Sequence, residues 1–404
     1  MSAERADVVI VGGGPAGAAL ACLLAREGRE ALVLEAARFP RDQVCGESVS
    51  PEGWRLIEKM GALDRVRALT PQPLRGMRLV SPNGTSFSGH YRSERPGFAV
   101  RRLALDPALL ASARDAGARV IEGARVSDLL FDAGRVAGVV AEIGGEPREL
   151  RARLVAGADG RRSVVAHRLG LLREHPRLRR FAVRGHWEAV AGLSEMGEMH
   201  VGGGGYCGIA PLSGTLANVA FVLDQREMRA ARAATGDLEG FYRASLAKRW
   251  PRVAERLERA RLVEPPRAIG PLSVTCHAVA AEGAVLLGDA AGFYDPFTGE
   301  GVTLALRGAE LAAAAIGSAL SERGSAPLPR LRSYERAREA ATRDKFRFNR
   351  RLQLAVGWPA AANAIAGKLG KRPDLADRLV GIAGDFVPAR TALGPGFLLD
   401  LLKT

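Results

Sequence analysis

What this chain lacks narrows it first. Across 404 residues it carries four cysteines and six histidines, and aromatics make up 5%. Cys22, Cys45, Cys207 and Cys276 are widely scattered, with no metal-type spacing, so no metal is expected. They fit reduced thiols rather than a disulfide framework. No apolar run reaches the roughly 18 residues a bilayer span requires, and Leu311 to Leu320, the nearest approach, is too short. The first strand begins at Asp7, leaving no room for a signal peptide, and the expected location is cytoplasmic. Repeats and low-complexity linkers are absent. The remainder, 47% hydrophobic with 25% charged residues, has the composition of a globular protein with a large core.

The net charge of +14 raises the question of nucleic acid. The arginines are spread along the chain, however, and no basic stripe is interleaved with aromatics, so no nucleic-acid partner is expected. A cofactor with two phosphates, an anionic substrate or a lipid surface would each use part of that charge.

The stretch from Asp7 to Glu35 organises the rest. Asp7 to Val11 is an apolar, β-branched run that reads as a buried parallel strand. Gly12-Gly13-Gly14-Pro15-Ala16-Gly17 follows, then an alanine-rich helix ending at Gly28. Ala31 to Leu34 is a second strand with Glu35 at its end. This is Gly-x-Gly-x-x-Gly between strand and helix, followed by an acid. Gly12 permits the turn, Gly14 admits a pyrophosphate to the backbone, Gly17 lets helix pack on strand, and Glu35 can hold a ribose hydroxyl. Pro15 and Ala16 open the helix, whose amides supply an anion site. A bound dinucleotide is expected.

Further along, helices are expected over Pro51–Met60, Arg102–Ala116, Leu238–Leu257 and Gly301–Leu320. Hairpins are expected at Met77–Ser88 and Val126–Ile143, and short strands at Ala118–Ile121, Leu154–Ala156 and Ala284–Leu287. Phe181–Val190, Glu198–Val201, Tyr206–Ala210 and Leu216–Leu223 alternate as antiparallel strands of a separate sheet. The tail after Pro327 reads as helical with breaks at Pro359 and Pro373.

Two further glycine-acid sites follow strands: Gly157-Ala158-Asp159-Gly160, and Gly288-Asp289-Ala290-Ala291-Gly292, the latter leading into Asp295-Pro296-Phe297-Thr298-Gly299-Glu300-Gly301-Val302. With the N-terminal fingerprint these resemble the para-hydroxybenzoate hydroxylase-like flavoprotein superfamily. Cys45-Gly46-Glu47 and the Asp295–Gly301 loop look most like the branch of geranylgeranyl reductases and their monooxygenase relatives.

The resemblance implies a doubly wound α/β FAD domain (residues 1–70, 98–175 and 270–330) interleaved with an antiparallel substrate sheet (71–97 and 176–269), plus C-terminal helices (331–404). It implies FAD as cofactor, with NAD(P)H visiting transiently as reductant. Asp289 on its Gly288 turn would accept from a ribityl hydroxyl. Amides of the Gly299-Glu300-Gly301 stretch, opening a long helix, would face the negative charge of reduced flavin, with Pro296 and Val302 beside them. Arg41, Arg102 (or the adjacent Arg101), Val126 and Asp159 are the remaining cofactor candidates, Asp159 having a helix cap as its alternative. Cys45 and Glu47 are the catalytic candidates: a thiol near the ring could donate a proton if its pKa were lowered, or it could simply shape the loop.

Gly202 to Gly208 also fits Gly-x-Gly-x-x-Gly, but strand rather than helix follows, so a second nucleotide site is not expected. The same segment departs from the reductase signature Tyr-x-Trp-x-Phe-Pro, reading Tyr206-Cys207-Gly208-Ile209-Ala210-Pro211. Tyr206, Gly208, Ile209 and Pro211 are the candidate substrate-cavity residues, and small side chains there would widen the space over the flavin. His186 and His200 are candidates to line it or ordinary sheet histidines.

The resulting expectation is FAD-dependent monooxygenation of a bulky, largely apolar aromatic or polyketide-like small molecule. Saturation of isoprenoid double bonds is the alternative, and a non-enzymatic lipid-binding relative a third class. The basic helix from Arg330 to Arg351 offers a peripheral membrane contact.

Overall fold

The computed structural model describes residues 4–174, 179–229, 236–293, 295–321, 326–394, 396 and 400. The expected helical tail therefore has residues 395, 397–399 and 401–404 outside the described set.

A mainly parallel sheet forms the base. Strands Ala284–Leu286, Glu146–Gly157, Glu4–Val11, Ala31–Glu35 and Arg119–Glu122 lie side by side in that order, each pair parallel. Val8, Val9 and Ile10 are fully buried because helices cover both faces, which explains their unbroken apolar run. Helix Pro15–Arg26 packs on Arg102–Asp115 and Gly301–Ala319. Its start is set by Pro15, whose fixed φ suits the first turn. Truncating Ile10 to alanine would cost about 2–5 kcal/mol through the cavity left behind.

Gly301–Ala319 is the one described helix long and apolar enough to cross a membrane, but 56% of its apolar window is buried within this fold. It is a core helix here, with Ala309, Ala312 and Ile316 buried.

Above the base lies an antiparallel sheet in the order 261–262, 180–188, 216–224, 205–211, 196–202, 76–80, 86–90. Strand 76–80 joins it parallel to 196–202, which brings the early hairpin into this roof. Helices Leu238–Arg249 and Pro251–Leu257 cover its outer face, with Phe221, Phe241, Tyr242 and Trp250 packed as an aromatic core. The tail folds into helices Leu328–Val356, Pro359–Gly370 and Pro373–Ala383.

Two expectations need correction. The strand placed at Leu154–Ala156 runs from Glu146 to Gly157, because its outer half pairs antiparallel with Arg135–Ile143. Alternating charges in that half hid it. The single helix expected over Leu238–Leu257 breaks at Trp250, since Pro251 has no amide hydrogen and biases its predecessor out of the helical region.

Candidate functional site at the carboxyl edge of the base sheet

Strands Glu4–Val11 and Glu146–Gly157 are neighbours from which the chain departs in opposite directions, the kind of crevice where open α/β sheets bind ligands. Gly12 sits there at φ +100°, and a Cβ on it would lie 2.5 Å from the Ala158 carbonyl oxygen. Only glycine fits. A Cβ on Gly17 would stand 1.9 Å from the Gly12 oxygen, so Gly17 acts through helix–strand contact and does not line the cleft. Gly288, at φ +58°, arrives from strand Ala284–Leu286, and its Cβ would lie 2.9 Å from that of Ala16. Two turns far apart in sequence thus converge on one cavity of about 1080 Å³.

That cavity runs from Glu35, Arg41 and Val126 past Gly12, Gly14, Pro15 and Ala16 to Asp159, Gly288 and Asp289. It ends at Pro296, Gly299, Gly301 and Val302, facing Cys45, Glu47 and Arg102. Glu35 is held by amides: Gly13 N donates to Oε2 at 2.7 Å and Ala37 N to Oε1 at 3.0 Å. Arg41 bridges Glu35 at 3.4 Å and Asp106 at 3.2 Å. A Cβ on Gly14 would meet only the Arg41 guanidinium within 4 Å, leaving a bare backbone cradle beside a cation.

Asp159 caps a helix and also lines the cavity. Its Oδ2 accepts from Val164 N at 2.7 Å, starting the next helix, while its Oδ1 is buried on the cleft side without a hydrogen-bond partner. Burial pushes its carboxyl up, as it does that of Asp289, where the charges of Arg161 and Arg102 pull the other way. A bare cradle, an orphaned buried oxygen and a buried carboxyl along one extended cavity fit a dinucleotide with a polyol segment.

Arg102, not Arg101, faces the cleft. It forks onto the fully buried Asp106, with Nη2 donating to Oδ2 at 2.6 Å, and its amide donates to Glu47 Oε1 at 2.9 Å. Arg101 instead pairs with Glu264 at 2.6 Å. Cys45 differs from the lowered-pKa expectation: burial pushes its thiol up despite the Arg102 charge, so the thiol keeps its proton at neutral pH. Its Sγ accepts from Glu47 N at 3.3 Å.

The roof contributes Tyr206, Gly208, Ile209 and Ala210 to the cavity. Pro211, placed there from sequence, does not line it; it pairs with Ala217 beyond the cavity's end. Gly202–Gly208 forms a hairpin, with Gly203 at φ +62° and Gly204 at φ +81° turning the chain. Tyr206 OH donates to Asp295 Oδ1 at 2.6 Å. Gln353 Nε2 from the tail donates to the same oxygen at 2.6 Å, and Arg180 pairs with Oδ2 at 2.8 Å. One carboxylate thus joins roof, glycine loop and tail.

Neither histidine lines the cavity. His200 pairs with Glu198 at 3.0 Å. His186 is fully buried, with Nε2 2.7 Å from Glu47 Oε2 and Nδ1 against Glu264. Sequence reading missed Asn218, whose Nδ2 donates to Cys45 O at 2.8 Å and Glu47 Oε2 at 2.9 Å. It also missed Glu264 and Arg184. The available signal was a polar residue inside an apolar strand: Asn218 in Leu216–Asp224, and Arg184 with His186 in Arg180–Glu188.

The family described as FAD binding domain is matched over residues 5–349. The menaquinone reductase of Mycobacterium tuberculosis (strain ATCC 25618 / H37Rv) is 30% identical over 333 residues, 77% of this chain and 76% of that protein. A digeranylgeranylglycerophospholipid reductase of Methanothrix thermoacetophila is 30% identical over 355 residues, 82% of each. A tryptophan 2-halogenase of Chondromyces crocatus is 32% identical over 326 residues, 78% of this chain and 61% of that protein. Among solved structures, a flavoprotein/dehydrogenase from Cytophaga hutchinsonii superposes with TM-score 0.82 at 22% identity, covering 95% of this chain and 93% of the other. A geranylgeranyl bacteriochlorophyll reductase-like protein from Thermoplasma acidophilum superposes with TM-score 0.75 at 20% identity, covering 99% and 96%. At those identities the structures speak for the fold alone.

Proposed function

Because this chain belongs to the FAD-binding-domain family of para-hydroxybenzoate hydroxylase-like oxidoreductases, we propose that it saturates a carbon–carbon double bond of a bulky, largely apolar, isoprenoid-type small molecule. The observation that carries this reading is the Cys45 thiol in the wall of the cavity that the Gly299–Val302 segment and the apolar roof residues Ile209 and Ala210 also line. Saturation needs a hydride on one carbon and a proton on the other, and the Cys45 thiol, in the cavity wall with Glu47 and Arg102, is placed to supply the second. The two reductases described above, each 30% identical, support the same choice.

Bound FAD supplies the hydride chemistry. Gly12, Gly14 and the helix Pro15–Arg26 hold its phosphates, Glu35 and Asp289 its sugar and polyol hydroxyls. The start of helix Gly301–Ala319, where the first amides lack intrahelical partners, would offset negative charge on the reduced cofactor. Tyr206 and Phe297, edge to face at 4.9 Å, shape the substrate end and keep water out. NAD(P)H is the expected transient reductant.

Monooxygenation of an aromatic or polyketide-like molecule is the second reading, favoured by the small Gly208 and Ala210 in the cavity roof. One experiment separates them. With the reduced protein under strict anaerobiosis, a prenyl lipid is converted to a product heavier by two hydrogens. Conversion that requires dioxygen and adds one oxygen atom overturns the reductase reading in favour of the oxygenase.

A further inference from the structure

A chain of titratable side chains leads from the cavity wall to the protein surface. Glu47 is 1% exposed and held at φ +58°. Its Oε1 accepts from Arg102 N, while its Oε2 meets both Asn218 Nδ2 at 2.9 Å and His186 Nε2 at 2.7 Å. The other ring nitrogen of His186, itself 0% exposed, contacts Glu264 Oε1. The Glu264 side chain is 30% exposed. The imidazole therefore stands between two carboxylates, one buried in the cavity wall and the other reaching solvent.

The charges around this line are fixed by arginines. Arg184, 1% exposed, places Nη1 2.6 Å from His186 Nδ1 and 3.2 Å from Glu264 Oε1, and pairs through Nη2 with Asp42. Arg267 also pairs with Asp42 at 3.1 Å, and Arg101 with Glu264 at 2.6 Å. Against desolvation, which acts upward, the His186 hydrogen bond and these cations hold Glu264 below the ordinary carboxylate range. An ionised, solvent-touching carboxylate is a natural entry point. At the inner end, Asn218 lines the cavity, and its Oδ1 is buried without a hydrogen-bond partner.

We propose that Glu264, His186 and Glu47 form a proton relay that carries protons between solvent and the reacting end of the cavity. A proton taken up by Glu264 passes to His186 Nδ1 as Nε2 releases its own to Glu47, so one proton leaves into the cavity for each that enters. Asn218 is a positioning residue: it holds the Glu47 carboxylate and the Cys45 carbonyl together. The relay rests on the family assignment and on neither reading of the substrate chemistry, since both move a proton at that end.

The test needs no substrate. Two-electron reduction of bound flavin takes up at least one proton. In holoprotein reduced anaerobically by a light flash and an external donor, an indicator dye reads the uptake rate. Glu264→Gln keeps the hydrogen-bonding shape at a partly exposed site; it slows uptake roughly tenfold or more, below the 10²–10⁴ of a direct acid, and formate restores the rate. His186→Asn gives the same loss with imidazole rescue. Uptake in Glu264→Gln at the unaltered rate overturns the relay. In the flavin-free protein, ring-nitrogen NMR shifts of His186 across pH change in Glu264→Gln; unchanged shifts overturn the relay independently. A protein that never takes up flavin would instead sink the cofactor assignment, which the two readouts keep distinct.

Discussion

Gly288 and Ala16 meet across the cleft so closely that a Cβ on Gly288 would stand 2.9 Å from the Ala16 Cβ. This contact makes the two ends of the chain's glycine pattern into one binding site. Gly288→Val adds branched bulk at φ +58°, where an L side chain costs about 1–2 kcal/mol before any clash. Flavin affinity should fall at least tenfold, about 1.4 kcal/mol. Absorbance of the purified variant titrated with FAD checks this; undiminished affinity would remove Gly288 from the site.

Asp106 is fully buried and holds both Arg102 and Arg41. Asp106→Ala leaves the buried Arg102 without its carboxylate partner and Arg41 with Glu35 alone, and stability should drop by about 3–5 kcal/mol. Denaturant unfolding monitored by circular dichroism measures it. A shift smaller than about 1 kcal/mol, the scale of an exposed pair, would show that the fork carries little of the loop's order.

Burial pushes the Glu300 carboxyl from 4.5 up to about 8, against the pull of Lys345 at 2.6 Å. Below pH 4.5 the group is protonated in both folded and unfolded chains. Between 4.5 and 8 the folded chain keeps a proton that the unfolded chain has released, so stability falls as pH rises. The slope reaches about 1.4 kcal/mol per pH unit. Glu300→Gln should flatten this part of the profile of unfolding midpoint against pH, and an unaltered slope would assign it to other groups.

Removing the neutral thiol tests the proposed chemistry at its source. Cys45→Ala should retain flavin colour while turnover falls by about 10²–10⁴-fold, the range for one positioned acid. Activity within twofold of the parent would return Cys45 to a loop-shaping role.

The tail carries the proposed membrane contact. Phe348 turns inward, but Leu354 and Trp358 are 72% and 68% exposed, beside the exposed Arg347 and Arg350. Co-sedimentation with anionic vesicles should be lost in Trp358→Glu and weakened by salt. Equal binding by the variant would move any such contact elsewhere.

The floor of the cleft was legible in the sequence because its signals are local. Gly12, Gly14 and Glu35 lie within one strand–helix–strand unit, and Asp289 directly follows a strand. The relay was not, because its bonds join Glu47 to His186 across 139 positions and His186 to Glu264 across 78. No periodicity links such residues; only the pairing of roof strand Arg180–Glu188 with its neighbours brings them together. Pro211 was misplaced for a related reason. A motif states which strand covers the cavity, but the register with Leu216–Asp224 decides where that cover stops.

Asp295 gives the molecule a single latch. Tyr206, Arg180 and Gln353 reach its two oxygens from two roof strands and the tail, so the roof is pinned to the glycine loop at this point. An outward swing of the roof there must break the Tyr206 and Arg180 bonds to Asp295, while Gln353 keeps the loop fastened to the tail. Shortening the chain ahead of Gln353 would therefore unfasten a door at a distance from the hinge that was cut.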